Sequence, residues 1–198
     1  VSMPTSETVQ SQAMGYGRKC DDVLLTDLFG VNYEGENGTD EVLFDTSNNQ
    51  INNGGGLTTT ELREAREILS DNECFDEDDP DDGLICVVTS KQVDDLLGDS
   101  LFQNADTNTQ RALVEGRPTK WLGFDFVRLN KNLVPVASNN RSVLCYQKNM
   151  AVLALGTRGS RIQERPDRND TIQVRSKGCM GATRLQEEAF VEIICSEA

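Results

Sequence analysis

Nucleophilic and metal-binding chemistry draws mostly on Cys, His, Asp, Glu, Ser and Lys, and this 198-residue chain contains no His. A Ser-His-Asp triad, a Cys-His pair and every His-containing zinc site are therefore excluded within it. The cysteines are Cys20, Cys74, Cys86, Cys145, Cys179 and Cys195. None forms a C-x-x-C pair, which argues against a zinc ribbon or a thioredoxin-like site. Most have apolar neighbours, as in "LICVV" (84–88) and "VEIIC" (191–195). That setting favours small buried thiols in a reducing compartment over disulfides.

The carboxylates are numerous but poorly placed for catalysis. Asp21–Asp22, Asp94–Asp95 and Glu187–Glu188 are adjacent in sequence. Neighbours diverge by about 100° on a helix and face opposite sides of a strand, so neither geometry makes an acid/base dyad. The run from Asp71 to Asp82, "DNECFDEDDPDD", carries eight carboxylates and no base. With Gly83 as the invariant turn glycine of a calcium loop, the third position would be Pro80 and the twelfth Thr89, so the pattern fails. A solvated acidic loop is expected there. Gly54–Gly56 belongs to no phosphate-binding motif and reads as a flexible connection. No cofactor and no metal site is expected.

Charge is more informative. The chain is −14 overall. That balance argues against gripping nucleic acid or anionic membrane, and no apolar run approaches the ~20 residues of a membrane helix. Yet Arg158, Arg161, Arg165, Arg168, Arg175, Lys177 and Arg184 face only Glu164, Asp167 and Asp170 within the same segment. The segment contains no aromatic residue to stack on bases. A nucleic-acid patch and a scattered solvated face are both open readings. The favoured one is a surface that meets the acidic part of another copy.

The elements that must position this segment follow from periodicity. Val9, Ala13, Tyr16, Cys20, Val23 or Leu24, and Leu28 recur at helical steps from a cap at Thr5 or Ser6 to Gly30. They predict a helix of about 36 Å, which Gly15 and Gly17 weaken or open to a close backbone approach. "VNYEGENGTDEVLF" predicts a hairpin around Gly35–Gly38, and "DTSNNQINNGGG" a loop. Capping boxes at Thr58/Glu61 and Thr89/Gln92, with staples Leu57/Leu62 and Val88/Val93, start two further helices. "LICVV" reads as a central strand, and a third helix is expected over 107–115. "WLGFDFVRL" reads as one strand with Leu122, Phe124 and Phe126 on one face. "RSVLCYQK", "SRIQERPD", "TIQVRSKG" and "EAFVEIIC" make the C-terminal third strand-rich, while "AVLALG" fits either a strand or a turn of helix. In the last strand Ala189, Val191 and Ile193 are expected on one side and Phe190, Glu192 and Ile194 on the other.

Taken in order, "PTSETVQ", "GRKCDD", "GLTTTELREAREIL", "NTQRALVEG", "WLGFDF", "RIQERPD" and "GATRLQEEAFVEI" resemble the major capsid protein of tailed bacteriophages. The resemblance covers nearly the whole chain, though no single string is diagnostic. It implies an α+β, Hong Kong 97-type capsid fold with a long spine helix, a discontinuous β-rich peripheral domain and an inserted α/β axial domain. Residues 1–56 would hold the spine helix, hairpin and loop, 57–135 the axial-type domain, and 136–198 the peripheral strands returning beside the spine. The family's N-terminal arm and extended loop have no counterpart after Val1. Whether they are cleaved, replaced or outside this sequence is left open, and no cross-link chemistry can be carried over.

The implied function is a structural, non-enzymatic one. Many copies would form pentamers and hexamers of an icosahedral virion capsid, assembled in the host cytoplasm around a DNA genome touched only weakly. Portal, decoration or scaffolding proteins are further possible partners. The candidate interface residues are Arg158, Arg161, Arg165, Arg168, Arg175, Arg184, Glu187 and Glu188. An encapsulin-like protein compartment is a close variant. A soluble cytoplasmic α+β enzyme, or an acidic binding module using residues 71–83, represent different classes.

Overall fold

A computed structural model describes residues 6–52, 54–76, 82–99, 120–134, 136–137 and 139–197. The first element is the expected long helix, α1 (Ser6–Phe29). A hairpin of β1 (Asn32–Glu34) and β2 (Asp40–Val42) follows, turning through Gly35 and Gly38, both at positive φ. Next come β3 (Gln50–Asn52), α2 (Thr59–Asp71), β4 (Leu84–Val88) and α3 (Ser90–Gly98). Both capping boxes are present at the predicted positions: Glu61 accepts from the Thr58 N–H at 2.8 Å, and Gln92 from the Thr89 N–H at 2.7 Å. The helix expected over 107–115 lies outside the described residues.

The C-terminal part supplies β5 (Lys120–Trp121), β6 (Phe124–Arg128), β7 (Val136–Ala137), β8 (Asn140–Gln147), β9 (Ala151–Arg165), β10 (Thr171–Arg184) and β11 (Phe190–Ser196). Seven strands form one mixed sheet in the order β3-β11-β8-β4-β6-β5, with β7 also on β8. "LICVV" is central, as expected: β4 pairs antiparallel with β8 and parallel with β6.

Both faces of this sheet are covered. On one, Leu62, Ala65 and Leu69 of α2 and Val93 and Leu96 of α3 meet Cys86, Val88, Val143, Cys145, Val191 and Ile193. On the other, Leu25 and Leu28 of α1 meet Val87, Leu144, Tyr146 and Phe190. Burying a leucine such as Leu28 or Leu62, each with no exposed surface, contributes about 1.5–3 kcal/mol. Burial on both faces explains why β4, β8 and β11 read as apolar runs rather than clean alternations.

Three expectations are corrected. The polar run at 45–56 contains a strand, because β3 pairs parallel with β11 at Ile51↔Ile193. "WLGFDFVRL" is a hairpin rather than one strand: Leu122 and Gly123 form its two-residue turn at φ 49° and 82°. Ala189 belongs to a short 3-10 turn and packs with Phe190, not with Val191 and Ile193. Among the described residues β8 and β11 join the seven-stranded sheet, while β9 and β10 form a separate two-stranded ribbon.

Candidate assembly surface

The basic segment lies almost wholly on that ribbon. Its 15- and 14-residue strands pair antiparallel from Arg165↔Thr171 to Ala151↔Arg184, with an irregularity between Gly178 and Met180. A Pro166–Arg168 turn and left-handed Asn169 and Asp170 close its tip. "AVLALG" is therefore the start of a long strand. Alternation along the ladder separates two faces.

One face lies on α1. Gln12 donates to the Val174 carbonyl at 3.2 Å, Ser176 donates to Gln12 at 3.3 Å, and Asp27 accepts from the Ala182 N–H at 2.9 Å. From Gln12 to Asp27 the helix rises about 22 Å, and from Val174 to Ala182 the strand runs about 26 Å. Helix and strand thus travel side by side in the same direction. Ile162 and Val174 share a groove of about 250 Å³ with Val9, Ala13 and Tyr16. Gly178 admits the Tyr16 ring: a Cβ there would stand 2.7 Å from it. Outside the helix's own backbone, no described atom lies within 4 Å of a Cβ position at Gly15 or Gly17, so of the two readings of these glycines the close backbone approach does not occur there.

The other face carries the charge. Arg161 and Arg175 stand directly opposite each other, flanked by the Gln163↔Gln173 pair and by Arg165. Arg161, Arg168, Arg175 and Lys177 are exposed, and their side chains form no hydrogen bond or ion pair among the described residues. Arg165 bonds Asp167 at 3.0 Å and Gln173 at 3.4 Å, and its guanidinium holds the Asp167 carboxyl below the usual range. Arg158 occupies the ladder position opposite Gly178.

Arg184 differs, and its expected availability to neighbours is corrected. Its side chain is 1% exposed. It donates to the carbonyls of Leu28 at 2.6 Å and Gly30 at 3.0 Å, and pairs with Glu187 at 2.8 Å. Its guanidinium also lies 5.4 Å from the Phe44 ring centre. It therefore closes the C-terminal end of α1, where orphan carbonyls need donors. Glu187 is drawn inward too, accepting from the Asp45 N–H at 2.8 Å. Glu188 is exposed, and its carbonyl accepts from Asn72. No feature of "GATRLQEE" separates a buried arginine from an exposed one; only the three-dimensional end of α1 does.

The remaining reactive groups do not converge on the ribbon. Cys86, Cys145 and Cys195 are buried together, with Cys86 and Cys145 sulfurs 3.4 Å apart across β4 and β8. Burial pushes the Cys86 and Cys195 thiols well up, with neighbouring groups adding to the shift. Cys179 alone among the cysteines is exposed. The acidic run is described only in part, with the Asp76 N–H donating to Asp82. Among the described residues no three His, Cys, Asp or Glu side chains gather as a metal site, and no helix is long and apolar enough to cross a membrane.

Comparison with known proteins gives three findings. A family model of phage capsid protein matches residues 2–197. Among curated proteins, no sequence matches. Among solved structures, the chain is similar to a protein of Mycobacterium phage Che8, with 14% identity and a TM-score of 0.61 over 94% of this chain and 60% of that one. It is similar to a protein in the head structure of Helicobacter pylori bacteriophage KHP40, with 13% identity and a TM-score of 0.64 over 97% and 69%. It also resembles an encapsulin from Synechococcus elongatus, at 10% identity and a TM-score of 0.56 over 94% and 64%. The chain thus spans well under the full length of these proteins. The likenesses identify the α+β, Hong Kong 97-type shell fold.

Proposed function

The chain belongs to the phage capsid protein family, and from that premise we propose that it is the structural subunit of an icosahedral tailed-phage head. In this role contact between copies is the mechanism, with no reaction to catalyse. Pentamers and hexamers of the subunit enclose the DNA genome in the virion after assembly in the host cytoplasm. The observation that carries the proposal is the ribbon. An extended two-stranded arm with a row of unpaired cations is not a shape a lone subunit completes, and it suits one that neighbours complete. On this reading Arg161, Arg165, Arg168 and Arg175 meet neighbours, together with Arg158 and the exposed Glu188 in the turn between β10 and β11. Arg184 sets the angle between α1 and the ribbon from inside. The acidic balance fits a wall that holds DNA without gripping it.

The test is the assembly state of the full-length protein by sedimentation and electron microscopy. Uniform closed particles are expected. A monomer at high concentration contradicts the proposal. The encapsulin likeness favours one second reading, a shell around protein cargo. Nucleic-acid content of particles purified from the native source separates the two, since a phage head holds DNA.

A further inference from the structure

The unpartnered basic face has a counterpart of opposite sign at the other end of α1. In the β1–β2 hairpin Glu34, Glu36, Asp40 and Glu41 are all exposed. Glu34 and Asp40 stand directly opposite each other in the ladder. None of these four carboxylates makes a side-chain hydrogen bond or ion pair among the described residues. Two apolar side chains are exposed beside them, Tyr33 at 60% and Leu43 at 68%. Each hairpin therefore places like charges directly across its own ladder, Arg161↔Arg175 in one and Glu34↔Asp40 in the other. Like charges in that position oppose pairing.

The two patches cannot meet within one subunit. The acidic hairpin leaves α1 at Gly30, where Arg184 binds the last helical carbonyls. Arg175 lies nine strand positions up β10 from Arg184, about 30 Å away. Asn32 to Glu36 spans only about 14 Å. The cations thus sit beside the N-terminal half of α1 and the carboxylates beyond its C-terminal end.

We propose that the acidic β1–β2 hairpin of one copy docks on the basic face of the β9–β10 ribbon of the next. Such a contact is heterologous: two different patches, at opposite ends of one rod-like element, pair head to tail. Repetition closes rings when the rotation between copies allows it. Each ladder's unfavourable like-charge pair then gains partners of opposite sign, and Tyr33 and Leu43 gain cover. This inference rests on the capsid reading and adds to it which surfaces meet.

A charge-swap experiment in the full-length protein tests it. One variant carries Arg161→Glu and Arg175→Glu, a second carries Glu34→Arg and Asp40→Arg, and a third carries all four. Thermal melting of the subunits checks folding, with Arg161→Gln and Arg175→Gln as a neutral pair should the reversals fail to fold. Each double variant is expected to lower the assembled fraction by about tenfold or more, since like charges are then brought together. The fourfold variant is expected to restore it. Doubles that assemble normally, or a folded fourfold variant no better than the doubles, overturn the pairing while leaving the capsid reading in place. A wild-type protein that does not assemble overturns both.

Discussion

The residue that tells most about this subunit is Arg184, because it has exchanged a surface role for an internal one. Its guanidinium bonds the C-terminal end of α1 and Glu187 within one buried cluster. Arg184→Ala leaves Glu187 and two helix-end carbonyls without that donor, so a loss of about 3–5 kcal/mol is expected, measured by chemical denaturation. Arg184→Lys is expected to restore only part of it, because a single ammonium cannot reproduce the planar fork. The buried thiols give a second residue-scale expectation. Cys86 and Cys195 stay protonated in the fold well above the usual thiol range. The unfolded chain releases those protons once pH passes about 8.5. The unfolded state then binds fewer protons, so their contribution is complete below that value and declines as pH rises. A denaturation series from neutral to strongly alkaline pH is expected to show this decline, and Cys86→Ala to lessen it. An unchanged slope in that variant contradicts the assignment.

At the scale of elements, strong local signals survived and non-local ones did not show. Capping boxes at Thr58 and Thr89 mark helix starts because their partners lie three residues away. The stripe ending at Val23 or Leu24 and Leu28 marked α1, and glycines bracketed the β1–β2 turn. In contrast, β3 sits in a run of Asn and Gly and owes its existence to β11, well over a hundred residues later. The Leu122–Gly123 turn was hidden because leucine seldom occupies positive φ. Alternation likewise predicted strands in the basic segment but not that they form a ribbon apart from the main sheet. That ribbon carries its own expectation. Arg161→Gln removes the like-charge cross-strand pair, so the isolated subunit is expected to gain about 0.2–1 kcal/mol, read as a higher melting temperature, while assembly weakens. If stability and assembly both fall, the arginine supports the ribbon itself rather than a neighbour.

For the whole molecule, charge was the most legible property and position the least. A basic stretch inside a chain of net charge −14 is visible in the sequence, and so is the candidate site built on it. The sequence does not reveal that α1 separates this stretch from the β1–β2 carboxylates, or that Arg184 belongs to neither. Assembly through exposed charges is expected to weaken as salt shortens the screening length from about 10 Å at 0.1 M to about 3 Å at 1 M. Closed particles are expected to form more slowly at high salt in light-scattering time courses; a rate indifferent to salt contradicts a charge-steered contact. The most direct measurement is an electron cryomicroscopy map of the assembled particle. The basic face of β9–β10 is expected against the β1–β2 hairpin of an adjacent subunit. A particle in which both surfaces face solvent, with no neighbouring chain on either, would contradict it.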